Sequence, residues 1–256
     1  MKARKIVRPA VAASALLAGQ MARAILRDDL PSLENQDPSG VFGDPSDPPL
    51  RLVFLGDSSV TAPGVDPLDH SWPRQMGMYL AGRGYHVTGA SVAVGGAKIR
   101  DALEEQVPAA LDLEPDMAYV AVGSNDALRG TPVARFESDF DRMVDLLHAE
   151  VPVIGLSGIG DLGTIPRLPE MAQGIARVRA RAIDKAIARV SHKYPNAIKS
   201  WVWDVMAYDF VQRPELYGAD LFHASAEGHL AFATVGTPMA DRLLTMWEQT
   251  EVRRTT

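Results

Sequence analysis

Near the C-terminal end of the chain, Gly218-Ala219-Asp220-Leu221-Phe222-His223 places an aspartate three residues before one of the six histidines. One helical-type turn at that spacing brings the Asp220 carboxylate against the His223 imidazole, which fixes the ring's tautomer and raises its basicity. A base of that kind needs a group to deprotonate. Leu55-Gly56-Asp57-Ser58-Ser59 offers a serine directly after a glycine that permits a sharp turn. Taken alone, Gly-Asp-Ser-Ser is an ordinary turn sequence, and Asp57 holds such a turn through its own backbone bonds. Two further stretches pair strand ends with donors. Val94-Gly95-Gly96-Ala97 can expose a backbone N–H or simply make a tight turn. In Val122-Gly123-Ser124-Asn125-Asp126, Asn125 either donates its amide into a cleft or closes an Asx-turn.

These residues have to be held by a frame. Short apolar, β-branched runs at 51–55, 86–94, 118–122, 152–156 and 200–204 predict strands buried on both faces. Between them lie helical patterns. The spacing predicts a helix over 132–149, capped by Thr131, with Pro132 at its first position and Val133, Phe136, Phe140, Met143, Val144 and Leu147 inward. A second spans 170–193 with Met171, Ile175, Val178, Ile183, Ile187 and Val190 inward, and a last one follows Ser225. Alternation of this kind predicts an α/β fold, a parallel sheet with helices on both faces, and ligands beyond the carboxyl ends of the strands.

Serine, glycine, asparagine and Asp-x-x-His fall in that order, three of them at successive strand exits. In Gly56-Asp57-Ser58, Gly96, Gly123-Ser124-Asn125-Asp126 and Asp220-Leu221-Phe222-His223 the chain resembles the GDSL/SGNH hydrolase family over about residues 50–245. The resemblance implies a three-layer α/β/α sandwich with a flavodoxin-like parallel sheet of about five strands. It implies Ser58 as nucleophile, His223 as base and Asp220 as its orienting acid. It places oxyanion donors at the Ser58 and Gly96 N–H groups and the Asn125 side chain. Three positions depart from the family's pattern: Ser59 as the fourth letter of the first block, Ser91 where an asparagine is usual, and Ala224 after the histidine where proline is frequent.

Composition narrows the classes. Six of the 26 basic residues precede the first acid, Asp28, so the rest of the chain carries 20 basic against 32 acidic residues. A body so acidic lacks the electrostatic footprint of a nucleic-acid binder. The absence of cysteine excludes disulfides and thiol catalysis. Residues 1–27, basic and then apolar, resemble a signal peptide or a membrane-associated helix, leaving export, membrane association and the cytoplasm open. Residues 28–49 contain Pro31, Pro38, Pro45, Pro48 and Pro49 and read as a tether that packs no core, so the folded domain is expected over 50–250.

Three other features compete with the main reading. Gly158-Ile159-Gly160-Asp161-Leu162-Gly163 imitates a dinucleotide fingerprint, but Pro166 and Pro169 oppose the helix that motif needs, and a loop lining the acyl pocket fits better. Asp57, Asp126, Asp220 and His223 would have to converge to hold a metal, and no H-E-x-x-H or similar ligand pair occurs. Trp72, Trp201, Trp203 and Trp247 are expected in the core. The sequence therefore points to a cofactor-free, metal-free ester hydrolase acting on a small-molecule, lipid or sugar ester. An acyltransferase using the same acyl-enzyme and a catalytically idle domain are the rivals, and the oligomeric state stays open.

Overall fold

The computed structural model describes residues 29–255. The basic and apolar segment expected over 1–27 lies outside the described residues. Six strands form one sheet: β1 Gly40–Phe42, β2 Pro49–Gly56, β3 His86–Ser91, β4 Met117–Ala121, β5 Val153–Ser157 and β6 Ala197–Ser200. Their order is β1-β3-β2-β4-β5-β6. β2 to β6 are mutually parallel and β1 is antiparallel to β3. The five parallel strands thus follow the flavodoxin-like order, with the switch point between β2 and β4.

The alternating pleat of β2 builds two cores at once. Val53 and Leu55 point into one, with Val120 of β4 and Leu156 of β5. Leu52 and Phe54 point into the other, with Tyr119 of β4. In chain order the helices are α1 Ser58–Thr61, α2 Trp72–Ala81, α3 (Ile99–Asp101, a π-helical turn Ala102–Gln106 and Val107–Leu111, run together), α4 Ser124–Arg129, α5 Val133–Glu150, α6 Glu170–Ser191 and α7 Ala226–Thr255. α3, α5 and α6 cover the first face; α2 and α7 cover the second. Three layers result, as expected from the alternation of strands and helices.

Four expectations need correction. The segment 28–49 is no tether, because β1 extends the sheet and Phe42 is buried between β3 and α2, with Arg74 stacked on its ring at 5.1 Å. None of its prolines lies within β1, and Pro49 is the first residue of β2, a strand position that proline tolerates. The last strand ends at Ser200, not 204, and Trp201 beyond the sheet is 58% exposed, outside the core. The second strand ends at Ser91, not 94, where the chain turns toward Gly95 and Gly96. On α6 the first three turns bury Ala172, Ala176 and Ala180, whereas Met171, Ile175 and Val178 face solvent. The start of that helix packs against α4 and the turn Leu162–Thr164, where alanine-sized side chains let the backbones approach. Only Ile183, Ile187 and Val190 face inward as the periodicity predicts.

Candidate active site

Ser58 leaves β2 at the switch point as the first residue of α1. Gly56 has φ +154°, and a side chain there would collide with the Ala121 carbonyl of β4. Asp57 caps α1, accepting from the Ser59 N–H at 2.9 Å. As a first helical residue, Ser58 has a backbone N–H with no acceptor inside its helix. Beneath this turn the Trp72 indole donates to the Ser59 carbonyl at 2.6 Å, and Trp72 packs on Phe54 and Tyr119.

Sequence reasoning missed the strongest support of this turn. The buried Gln106 amide grips the backbone of Gly56 twice, accepting from its N–H at 2.7 Å and donating to its carbonyl at 2.9 Å. Gln106 ends the π-helical turn of α3, fifty residues from its partner, and nothing in its local spacing signals that task.

Gly96 lies in the loop after β3 with φ +81°, a conformation that favours glycine. This loop is tied to the next block: the buried Asp126 carboxylate accepts from the Ile99 N–H at 2.9 Å. Asn125, in the first turn of α4, donates to Asp57 Oδ2 at 3.3 Å. A primary amide has two N–H groups, so one stays available after that long bond. Burial pushes the Asp57 pKa up, against the bonds from Ser59 and Asn125.

The expected base, His223, is held by a loop and not by a helical turn. Leu221 adopts φ +58°, and Tyr217 and Ala224 pair across the loop as an antiparallel bridge. Gly218 N–H donates to the His223 carbonyl at 2.7 Å, and Arg167 N–H to the Leu221 carbonyl at 3.0 Å. Asp220 Oδ1 accepts from the Phe222 and His223 N–H groups, both at 3.0 Å, while Oδ2 lies 2.6 Å from His223 Nδ1. Burial tends to raise the Asp220 pKa, but the His223 ring and the two backbone donors outweigh it and hold the carboxyl below its usual value. An ionised carboxylate only accepts, so Nδ1 carries the proton and Nε2 is left as the basic nitrogen.

Ser58, Gly96, Asn125, Asp220 and His223 all line one cavity of about 490 Å³. Leu33 and Asn35, from the segment expected to be a tether, line it too. They are tied down by Thr61 Oγ1, 2.5 Å from Asn35 Oδ1, and by Gln36 N–H donating to the Thr61 carbonyl at 2.8 Å. A separate, smaller cavity of about 90 Å³ lies beneath α7 and is lined by none of those five residues.

The remaining candidates fall elsewhere. Gly158, Ile159 and Gly160 border that smaller cavity, so the stretch expected to line the acyl pocket is not part of the cavity around Ser58. Asp161 caps the short turn Leu162–Thr164 and receives Arg177 at 2.7 Å. His229 is buried, accepts from the Trp72 N–H at 3.3 Å, and is pushed down to about 3 by burial, so it stays neutral. Among the described residues no three His, Asp or Glu side chains are grouped to hold a metal ion.

Comparison with known proteins gives this geometry a context. An arylesterase of Vibrio mimicus is 32% identical over 98 residues, 38% of this chain and 48% of that protein. The match thus spans about half the length of that curated relative. The fold recurs in the crystal structure of TesA, with TM-score 0.62 and 22% identity over 75% of this chain and 99% of that one. It recurs in the psychrotrophic esterase EstA from Pseudoalteromonas sp., with TM-score 0.60 and 16% identity over 76% and 98%. The acetylxylan esterase Axe2 from Geobacillus stearothermophilus aligns with TM-score 0.59 and 16% identity over 75% and 94%. At such identities these structures speak for the fold alone. The family model, however, matches residues 54–231, from the last turn-bearing stretch of β2 through the histidine loop and into α7, and by that match the chain belongs to the GDSL-like lipase/acylhydrolase family.

Proposed function

We propose that the protein hydrolyses carboxylic esters through an acyl-enzyme on Ser58, without a cofactor. The observation that carries this reading is the 2.6 Å pair of Asp220 and His223 facing the same cavity as Ser58, Gly96 and Asn125. His223 Nε2 takes the Ser58 proton as Oγ bonds to the ester carbonyl carbon. The carbonyl oxygen becomes an oxyanion, stabilised by the Ser58 and Gly96 N–H groups and the second N–H of Asn125. Collapse of the intermediate breaks the bond to the alcohol oxygen, which leaves with the proton from His223. Water then attacks the acyl carbon, His223 takes its proton, and the acid and free Ser58 are released. Asp220 stays ionised throughout and stabilises the imidazolium.

The family and the arylesterase relative make aryl esters a sensible first substrate. A fluorophosphonate should label Ser58, with the adduct located by mass spectrometry. Ser58→Ala should lower turnover of nitrophenyl esters on the order of 10³-fold or more with an unchanged melting temperature. Ser59→Ala should retain turnover. An adduct on Ser59, or full activity in Ser58→Ala, would assign the wrong serine; no adduct and no turnover would leave a binding domain.

A further inference from the structure

Two arginines, Arg129 and Arg167, line the cavity around Ser58, and the one carboxylate lining it, Asp220, is committed to His223. That is unusual surroundings for a chain whose described body is rich in acid. Several arginines elsewhere sit on acids, Arg74 on Asp69 at 2.6 Å, Arg100 on Glu104 at 2.7 Å and Arg189 on Glu137, whereas Arg142 and Arg242 stand on the surface away from this cavity without such a pair among the described residues. The Arg129 guanidinium has no ion pair or hydrogen bond with any described residue. It has no structural task at the end of α4 either. Gly130, at φ +83°, closes that helix by donating to the Asp126 carbonyl. Arg179 holds the neighbouring carbonyls, at 2.6 Å to both Ala127 and Thr131. Meanwhile Arg129 Nη2 comes within 3.3 Å of where a side chain on Gly96 would begin. Its free charge therefore stands beside the glycine assigned to the oxyanion.

We propose that Arg129 is a substrate-binding residue that selects esters carrying an anionic group, a carboxylate or a phosphate, on the Gly96 side of the scissile carbonyl. This rests on the hydrolase reading for the identity of the bound molecule. The physical reason is that a guanidinium presents a planar fork of donors matched to such oxygens, and it is weakly hydrated compared with an ammonium. Arg167 also lines this cavity. An acidic body repels anions at long range, so the preference is expected to arise inside the cavity as affinity, with no gain in encounter rate.

Binding to Ser58→Ala, which cannot be acylated, separates recognition from turnover. Isothermal titration would compare methyl hydrogen glutarate with dimethyl glutarate, and 3-acetoxypropyl phosphate with propyl acetate. The anionic member of at least one pair should bind about tenfold tighter, as a charge-assisted hydrogen bond gives. Adding Arg129→Gln should reduce that preference to within twofold, Arg129→Lys should restore part of it, and raising the salt should weaken it. Equal binding within each pair, or a preference unchanged by Arg129→Gln, would overturn the proposal. Wild-type protein would be assayed with the same esters. If it cleaves none of them while the Arg129-dependent preference persists, the anion site stands and the hydrolase reading falls.

Discussion

The two sides of the cleft are built in opposite ways. On the base side, Asp220 and His223 are three residues apart, and each bond that orients them comes from residues 216–225, apart from the Arg167 N–H at the tip. The His223 side chain is 24% exposed. On the nucleophile side, apart from the local Asp57 cap, the supports of the Ser58 turn come from other elements: buried Gln106 from α3, Ala121 from β4, Asn125 from α4 and half-buried Trp72 from α2. A base must present a free nitrogen and needs only a local partner to fix its tautomer. A nucleophile and its oxyanion donors belong to different strands, and only the packed sheet can bring them into register.

The contrast is testable because the two sides should fail differently. The largest expected effect is on the base side. Asp220→Asn keeps an oxygen for the Phe222 and His223 N–H groups but loses the charge that stabilises the imidazolium. Turnover should fall about 10³–10⁴-fold while the melting temperature hardly moves. A large drop in melting temperature would show that the loop depends on this carboxylate for its fold, and the idea of a locally built base would fail.

Asn125→Ala comes next, because in the proposed mechanism it removes a donor acting only when charge develops on the carbonyl oxygen. Turnover should fall about 10²–10³-fold with little change in Michaelis constant. A lowered melting temperature with turnover within about threefold of wild type would assign Asn125 to turn closure and to holding Asp57. The smallest effect on turnover, and the largest on stability, is expected for Gln106→Leu. It leaves the buried N–H of Gly56 without a partner and its carbonyl with only the longer bond from the Val94 N–H at 3.2 Å, at roughly 1–3 kcal/mol in denaturant unfolding. Unfolding midpoints identical to wild type would mean that Gly56 finds other partners, and the contrast between the two sides would lose its main support.

Much of the frame was legible because hydrophobic period reports burial directly. The inward residues of α5, Phe136, Phe140, Met143, Val144 and Leu147, are buried as the 3.6-residue spacing predicts. The same logic misled on α6, since periodicity marks a face but not how closely a neighbour approaches it. There the alanine face, not the one with Met171 and Val178, meets α4. The segment 28–49 was misread because prolines signal loops equally well when the loop ends in an edge strand.

What the sequence determined by itself is local and ordered along the chain: the Asp220–His223 pair, the turn chemistry at Gly56-Asp57-Ser58 and the order of the four blocks. Spacing alone was not decisive even so. Asp145 and His148 share the Asp-x-x-His interval, yet they lie on α5, where His148 Nδ1 is 2.5 Å from Asn196 Oδ1. Only the tertiary structure distinguished those two pairs, recruited Gln106 and Asn35, and set Arg129 at the cavity with no ion pair or hydrogen bond to any described residue. Those outcomes depend on atoms far apart in the chain meeting in one place, fifty residues for Gln106 and Gly56 and 26 for Asn35 and Thr61, and they are set by how helices pack on a twisted sheet, which no local pattern of residues encodes.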